Sequence, residues 1–366
     1  MAGKRATIQD VAAQAGVSIA TVSRVLTGRA FVDEEKARHV RQAMQTLQYQ
    51  PSRAARAMRV NRSAILGLLI SDIRNPFFTS LIRGVEDIAQ REGYSLLLCN
   101  TDENPRKERQ YVDVLCAEGI AGAIVVPTQE RSPAYRPFQE RHIPFVAVDR
   151  RIRDNGVDTV TVDNVRGAYE GVAHLISNGY RRIGAITGPL TTTTGHDRLM
   201  GYREALTDAG IAYDPTLARS GSFKEPSGRL LMAELLAITP AIDAVFVANN
   251  LLTLGVLEEL HARDVHIPAD IAVVGFDEMP WASLSAISLT TVTQPVYELG
   301  ATAAMRLVQR LRSTEPLTRQ EIVLMPTLYT RASSRPRAGA ADVESLNSIA
   351  ADVKSLKRSA TGSIRF

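Results

Sequence analysis

The sequence predicts an α/β protein in which a small helical head precedes a large, doubly wound core. Two observations predict this fold class. Two short helical stretches flank a glycine-centred turn near the amino terminus, and beyond residue 64 short apolar runs alternate with amphipathic stretches. A length of 366 residues with 45% hydrophobic content is enough for a large core and more than one domain.

The head is predicted to contain three helices. Thr7, Ser18 and Asp33 are residue types that cap helix amino termini, and each precedes a helical stretch. With Gly16 in the turn, the first two helices have the layout of a DNA-reading helix-turn-helix. The side chains expected to close a small core are Val11, Val22, Val25, Leu26, Val40, Met44 and Leu47.

Positive charge is concentrated at the two ends of the chain. Residues 1–62 hold eleven Lys and Arg against four Asp and Glu, and residues 331–366 hold seven against three. Since the total is +4, the middle of the chain carries −7. We therefore expect a polyanion to bind at the amino-terminal end, where cations can neutralise phosphates.

The segment 49–62 is basic, rich in alanine and nearly free of large apolar residues, so we predict a hinge that is helical only when supported. Cys99 and Cys116 lie in apolar runs without metal-ligand spacing, which predicts buried free thiols and neither a metal nor another cofactor. With no apolar signal core and no membrane-length run, the expected location is the cytoplasm, with no membrane partner.

The core is predicted to contain parallel strands covered on both faces, because continuous apolar runs each precede a helical stretch. The expected strands are Ile65–Ile70, Tyr94–Cys99, Gly122–Val126, Phe145–Val148, Ile183–Thr187, Ala244–Ala248 and Ile271–Gly275. Two later strands, Leu289–Gln294 and Glu321–Thr330, are expected on either side of a helix at Pro295–Leu311.

Several motifs occur in order between Thr7 and Arg331. Beside the head they are Pro51–Arg59, Asn75-Pro76-Phe77-Phe78, Val162-Asp163-Asn164, Arg198-Leu199-Met200-Gly201-Tyr202, Ala248-Asn249, Gly275-Phe276-Asp277 and Leu289-Thr290-Thr291-Val292. Together they resemble the lactose/galactose repressor (LacI/GalR) family of bacterial transcription regulators. The resemblance implies a hinge helix and a core of two lobes similar to periplasmic binding proteins, joined by three chain crossings.

The resemblance also implies a homodimer that binds a palindromic operator on double-stranded DNA and a small effector between the lobes. The expected domains are a helix-turn-helix head at 1–48, a hinge at 49–62, an effector-binding and dimerisation core at 63–331, and a linker with a terminal helix at 332–366.

DNA contacts are expected from the head and the hinge. In the family, base edges are read where Ile19 and Ala20 stand, and Arg24 one turn later can donate two hydrogen bonds to a guanine. Met58 replaces the leucine that wedges open a base step, although it could instead pack hinge against hinge. The expected DNA-binding residues are Thr7, Ser18, Ile19, Ala20, Thr21, Ser23, Arg24, Arg53, Ala55, Arg56 and Met58.

The expected effector-binding residues are Phe77, Asp149, Arg150, Thr194, Arg198, Phe223, Asn249 and Asp277. Carboxylates, arginines and aromatic rings suit a polyol, so the expected effector is a sugar, sugar acid, sugar phosphate or nucleoside. The two arginines favour an acidic or phosphorylated sugar.

Four of these positions also have a structural alternative. Asp149 and Asp277 end strands, where a carboxylate often caps the next helix. Phe77 or Phe78 is expected in the core, and Thr194 could lie in a solvated loop. Asn250 stands where the family usually has an aspartate, which removes a charge near the pocket.

A heptad pattern follows the core. Its apolar positions, spaced three, four and three as in a coiled-coil seam, are Leu346, Ile349, Val353 and Leu356. They resemble a tetramerisation helix found in the family. Two heptads are too short for a stable dimeric coil, which predicts either a four-helix bundle in a dimer of dimers that loops DNA, or a frayed tail.

Three functions compete for this sequence. A sugar-binding transport protein would need a secretion signal and would not carry Arg24 in a helix-turn-helix. An enzyme of this fold class would be expected to show a Gly-x-Gly-x-x-Gly, Gly-x-Ser-x-Gly or phosphate-binding loop, whereas the sequence has none and its six histidines are scattered. We therefore predict a repressor of a carbohydrate or nucleoside operon, and not an enzyme. Release from DNA by the effector is the commoner pattern in the family and is the outcome we expect, but an effector that prefers the DNA-bound lobe arrangement would strengthen binding instead.

Deleting residues 340–366 should convert a tetramer into a dimer, because it removes the whole apolar seam. Light scattering of the purified protein measures this change, with Asn347→Ala, outside the seam, as the control. An unchanged mass after the deletion would contradict the heptad prediction.

Overall fold

The computed structural model describes residues 6–27, 32–49, 64–153, 156–279, 282–283 and 288–336. The chain divides into two units, the head (Met1–Ala64) and the core (Ile65–Phe366). Eight residues with predicted roles lie outside the described residues, so their roles stay predictions: Arg53, Ala55, Arg56, Met58, Leu346, Ile349, Val353 and Leu356.

The described part of the head consists of three helices: α1 (Ile8–Ala15), α2 (Ile19–Thr27) and α3 (Glu34–Thr46). The fully buried Val11, Val22 and Val40 form its core, and the other predicted side chains pack around them, partly buried. Ala12 and Ala43 are also buried, which the apolar pattern did not reveal because alanine is common on both faces of helices.

All three predicted helix caps are confirmed. Thr7 Oγ1 accepts a hydrogen bond from the Asp10 backbone N–H at 3.3 Å, and the Asp10 carboxylate accepts one from the Thr7 N–H at 2.7 Å, which forms a capping box. Ser18 Oγ accepts from the Thr21 N–H at 3.1 Å. The Asp33 carboxylate caps α3 in the same way.

The described core contains two six-stranded sheets, one in each lobe. The N-lobe sheet has the order β11-β5-β4-β3-β1-β2, and the C-lobe sheet has the order β12-β10-β9-β8-β6-β7. The strands are β1 (Ile65–Ile70), β2 (Ser95–Asn100), β3 (Gly122–Val125), β4 (Phe145–Val148), β5 (Asp158–Val162), β6 (Ile183–Thr187), β7 (Ala218–Ser220), β8 (Ala244–Val247), β9 (Ala272–Phe276), β10 (Thr290–Thr293), β11 (Glu321–Leu324) and β12 (Thr327–Tyr329). Described strand pairs are parallel except β10 with β12, which confirms the doubly wound prediction.

Helices cover both sheets. They are α4 (Pro76–Arg91), α5 (Pro105–Ala117), α6 (Arg136–Glu140), α7 (Asn164–Ser177), α8 (Thr193–Asp208), α9 (Glu225–Leu236), α10 (Asn250–Ala262) and α11 (Val296–Arg312). The pair α4 and α11 packs on the N-lobe sheet, and the pairs α7 with α8 and α9 with α10 pack on the C-lobe sheet. None of the described helices is long and apolar enough to cross a membrane.

Within the described residues the chain crosses between the lobes three times, as the resemblance implied. The crossings follow β5, β10 and β11. The last one makes the prediction of a single strand over Glu321–Thr330 wrong, because β11 and β12 belong to different sheets. Pro326 separates them, and a proline cannot donate a ladder hydrogen bond.

The sequence pattern missed strand β5. Three of its five residues, Asp158, Thr159 and Thr161, are polar, yet all five are buried. Asp158 tolerates burial because it accepts hydrogen bonds from Arg306 Nε at 2.9 Å and from the Gln320 backbone N–H at 2.7 Å, and it also contacts Arg310. The short edge strand β7 was missed as well, whereas β1, β4 and β6 have the predicted bounds and β2, β3, β8, β9 and β10 differ from them by one residue at either or both ends.

Three helix pairs in the described core approach closely at glycines. A Cβ atom on Gly84 of α4 would lie 2.1 Å from the Tyr297 carbonyl oxygen of α11, and one on Gly300 would lie 2.2 Å from the Leu81 oxygen. A Cβ atom on Gly201 of α8 would lie 2.1 Å from a backbone oxygen of α7, and one on Gly228 of α9 would lie 2.2 Å from a backbone oxygen of α10. These contacts fix the helix spacing at values that only glycine permits.

Replacing Gly84 by alanine should lower the free energy of unfolding by about 3 kcal/mol, because the added methyl group forces α4 and α11 apart. Urea unfolding followed by circular dichroism measures the change. Gln90→Ala on the exposed face of α4 is the matched control and should leave stability nearly unchanged. Equal stability of the two variants would contradict the close approach.

Candidate functional site

A cleft with about 360 Å³ of empty space lies between the two lobes of the core. The eight predicted effector-binding residues all line it: Phe77, Asp149, Arg150, Thr194, Arg198, Phe223, Asn249 and Asp277. Five lining residues were not predicted: Asp72, Asn75, Phe78, Glu103 and Gln294. Many of the thirteen follow the carboxyl ends of parallel strands, where ligands of α/β folds bind.

Asp149 and Asp277 occupy equivalent places in the two lobes. Each directly follows a strand, β4 or β9, and each has a left-handed backbone, with φ of 67° and 72°. Their N–H groups donate to the Val160 and Val292 oxygens of the neighbouring strands at 2.9 and 2.8 Å. Neither caps a described helix, so the strained backbone instead points both carboxylates into the cleft.

Burial raises the pKa of both carboxylates. Desolvation raises the pKa of Asp149 to about 6, although the charges of Arg150 and Arg198 oppose the rise. Desolvation also raises the pKa of Asp277, against the opposing charge of Arg198. Asp277 in addition accepts a hydrogen bond from Gln294 Nε2 at 2.5 Å. Asp149 is therefore ionised at neutral pH with only a small margin.

Arg150 is held in place by a carboxylate of its own lobe. Its two terminal nitrogens donate to Glu103 at 2.7 and 2.8 Å in a bidentate pair, and Nη1 also donates to the Pro127 oxygen at 3.1 Å. The ring of Phe223, from the C-lobe, lies 5.2 Å from its guanidinium carbon. Among the described residues, Arg150 Nε has no hydrogen-bond partner, which leaves a buried donor for a ligand.

Arg198 connects the cleft to the crossing between the lobes that follows β5. Its Nε donates to Asn164 Oδ1 at 2.8 Å, and Asn164 begins α7 at that crossing. Its Nη1 donates to the Ala248 oxygen at 2.6 Å and lies 3.6 Å from Asp277. The guanidinium also stacks on Phe276, 3.8 Å from the ring centre. Arg198 is therefore fixed before any ligand arrives.

Aromatic and neutral polar groups complete the lining. Phe77 and Phe78 meet edge to face with ring centres 5.0 Å apart, and both are part of the N-lobe apolar core as well as of the cleft wall. Thr194 is buried in the wall, not in a solvated loop. Asn250 Nδ2 donates to Asn75 Oδ1 of the N-lobe at 2.8 Å, so the residue that replaces the family aspartate is a neutral bridge between the lobes.

Three of the lining residues that were not predicted share a sequence pattern that could have identified them. Asp72 and Glu103 follow β1 and β2 closely, and Gln294 follows β10. A rule that selects polar residues just after parallel strands would have found all three. Asn75 belongs to a motif already noted, and its side chain caps α4.

The predicted DNA-binding residues of α2 are exposed or partly exposed in the head. Ile19 at the start of α2 is 43% exposed, which is unusual for an isoleucine, and Ala20 and Arg24 are exposed beside it. Thr21 and Ser23 are partly exposed. The hydroxyls of Thr7 and Ser18 serve as helix caps.

Comparison with known proteins identifies the family. Residues 63–330 match the model described as periplasmic binding proteins and sugar binding domain of LacI family, and residues 7–52 match bacterial regulatory proteins, lacI family. The chain belongs to the LacI family. Members similar to it are DNA-binding transcriptional regulators, which confirms the predicted class, and they are not enzymes. A transport role is not favoured.

Several members of the LacI family are similar over most of the chain. The ribose operon repressor of Halalkalibacterium halodurans is 36% identical, with 90% of this chain and 97% of that protein covered. The ribose operon repressor of Escherichia coli K12 is 35% identical, with 90% and 100% covered. A lac repressor dimer bound to operator and the anti-inducer ONPF has a TM-score of 0.80 at 25% identity, with 91% of this chain and 100% of that chain covered. A LacI family regulator from Enterococcus faecium with bound ribose has a TM-score of 0.68 at 30% identity, with 74% and 99% covered.

Asp149→Asn should stabilise the ligand-free protein at pH 8 by up to about 3 kcal/mol and much less near pH 4.5. The pKa of Asp149 is raised on folding, so the folded wild type binds a proton more tightly and gains stability as the pH falls through about 6. An amide has no such charge to bury. Urea unfolding at both pH values measures the difference.

The control for that measurement is Asp113→Asn, an exposed carboxylate on α5. It should change stability little at either pH. Equal free energies of unfolding for Asp149→Asn and wild type at pH 8 would contradict the claim that the buried, ionised Asp149 destabilises the folded protein.

Proposed function

We propose that this protein is a transcriptional repressor that binds its operator through α2 and is released when a neutral, monosaccharide-sized polyol binds in the cleft. The observation that carries the proposal is the composition of the cleft. Buried carboxylates and arginines converge there with aromatic rings, which is the chemistry that recognises sugar hydroxyls.

The charge in the cleft favours a neutral effector over an acidic one. Four carboxylates line it against two guanidinium groups and, at its rim, the Lys224 ammonium that pairs with Asp72. Arg150 is already paired with Glu103, and Arg198 lies beside Asp277, so neither arginine is a vacant anion site. A phosphate would add negative charge next to Asp149 and Asp72. This weighs against the acidic or phosphorylated sugar that the two arginines alone favoured.

Ribose is the effector that we propose first. Two similar proteins are named ribose operon repressors, and a similar solved structure contains ribose. A small polyol with several hydroxyls would use the carboxylates of Asp149 and Asp277 and Arg150 Nε, which lies 3.5 Å from Asp149 but has no hydrogen-bond partner among the described residues.

The contacts around the cleft suggest how binding reaches the DNA-binding end. Arg198 bonds to Asn164 at the crossing after β5, and Asp277 bonds to Gln294 at the crossing after β10. A ligand that reorders these two groups acts directly on the segments about which the lobes turn. In a homodimer, a change of lobe angle alters the spacing of the two hinges and hence the fit of both heads to adjacent half-sites.

Ribose should weaken operator binding by at least about tenfold. A labelled duplex, selected from random DNA by the wild-type protein, reports binding by fluorescence anisotropy. Asp277→Asn should bind this duplex but respond less to ribose, because it loses the charge opposite Arg198. An operator affinity that no sugar in a panel of pentoses and hexoses changes would contradict the proposed release.

Arg24→Ala should remove the preference for the selected duplex over a scrambled one, at a loss of about 1–3 kcal/mol in discrimination. Arg38→Ala, an exposed arginine on α3, is the matched control and should keep the preference. The same anisotropy assay measures both variants. If Arg38→Ala lost the preference and Arg24→Ala kept it, the assignment of α2 as the reading helix would be wrong.

A further inference from the structure

Lys224 joins the two lobes beside the cleft. It precedes α9 in the C-lobe, and its ammonium group donates to two N-lobe carboxylates, Asp72 at 2.6 Å and Asp102 at 2.9 Å. Asp72 is buried and lines the cleft, whereas the side chains of Lys224 and Asp102 are 22% and 43% exposed. The bridge therefore lies at the rim of the cleft, where buried lining meets solvent.

The bridge is connected to the arginine inside the cleft through a single turn. Asp102 and Glu103 are consecutive, and both have a left-handed backbone, with φ of 57° and 58°. Asp102 binds Lys224 on the outside, and Glu103 binds Arg150 on the inside. The Glu103 N–H donates to the Ser71 oxygen at 3.0 Å, which ties the turn to the end of β1.

The C-lobe side of this contact also uses consecutive residues. Phe223 lies against the Arg150 guanidinium, and Lys224 follows it directly. Phe223 and Lys224, consecutive in the C-lobe, thus contact the N-lobe at two points, Arg150 inside the cleft and Asp102 at its rim. Separating the lobes here must break charge-assisted hydrogen bonds and uncover Arg150 together.

The other contacts between the lobes differ from this one. The hydrogen bond from Asn250 to Asn75 joins the lobes through two neutral side chains. Arg151 pairs with Asp197, but neither belongs to the residues that line the cleft in the described part of the chain. Within that part, Lys224 forms the charged bridge that reaches a cleft-lining residue.

We propose that Lys224 is a positioning residue that holds the lobes closed over the bound effector and thereby sets how slowly the effector leaves. The proposal rests on the proposed function for the identity of the effector, which we take as ribose. Because the ammonium group lies at the rim, it acts through Asp72 and the turn that carries Glu103. Its removal should accelerate release more than it changes association.

Three variants test the proposal. Lys224→Met keeps the aliphatic stem and removes the charge, and Lys224→Arg keeps the charge. Lys107→Met is the matched control, because Lys107 lies 3.6 Å from the same Asp102 carboxylate but belongs to the same lobe. The probe is radiolabelled ribose bound to the full-length protein, released during a chase with unlabelled ribose.

Release should be at least about tenfold faster from Lys224→Met, whereas Lys224→Arg and Lys107→Met should stay within about threefold of wild type. Equal release from Lys224→Met and wild type would overturn the proposal. An equal acceleration in Lys107→Met would overturn it too, since loss of any cation near Asp102 would then suffice.

A second measurement needs no ligand. Spin labels on unnatural amino acids at positions 109 and 229, one exposed site in each lobe, report the distance between the lobes by electron–electron resonance. In ligand-free protein, Lys224→Met should shift the distances to longer values and Lys107→Met should not. If wild type fails to bind ribose, the effector assignment fails. Unchanged distances in Lys224→Met would refute the bridge itself.

Discussion

Charges buried in the cleft between the lobes must be paired, and the rest of the structure depends on how that is achieved. Asp149, Arg150, Arg198 and Asp277 are all nearly inaccessible to water. A buried charge without a partner is strongly destabilising. Each of these four groups therefore has a partner in its own lobe or across the cleft. The pairing leaves carboxylates in excess and arginines with little spare capacity, and this balance favours neutral hydroxyls over anions.

The backbone positions these charges before any ligand binds. Asp149 and Asp277 have left-handed conformations at equivalent strand ends, and the same geometry recurs at Asp102 and Glu103. Such conformations are costly for residues other than glycine, and they persist where the surrounding structure determines them. The cleft is therefore preorganised, and two of its lining groups, Arg198 and Asp277, are bonded to the segments that connect the lobes.

Most of the fold was predictable from the sequence, because a buried parallel strand is recorded directly as an apolar run. Strand β5 escaped because Asp158 is buried through ion pairs, which a hydrophobic pattern cannot show. The division of Glu321–Thr330 between two sheets escaped because it depends on how the lobes are arranged. The glycines between paired helices escaped for the same reason, since nothing local distinguishes Gly84 from a glycine in a loop.

The cleft residues carried over from the family lie together around one cavity, whereas Asp72 and Glu103 became evident only when β1 and β2 were seen to end there. The pairing of Arg150 with Glu103 was beyond the sequence, because 47 residues separate the two. In our proposal, that pairing is the argument against an acidic effector. Two arginines in a sequence suggest an anion site, but two arginines that already have carboxylate partners do not.

The most direct measurement is calorimetric titration of the wild-type protein with ribose and with ribose 5-phosphate at neutral pH. We expect ribose to bind. Ribose 5-phosphate, which adds negative charge beside an excess of carboxylates, should bind at least about 100-fold more weakly. Binding of ribose 5-phosphate as tight as that of ribose, or tighter, would contradict the account.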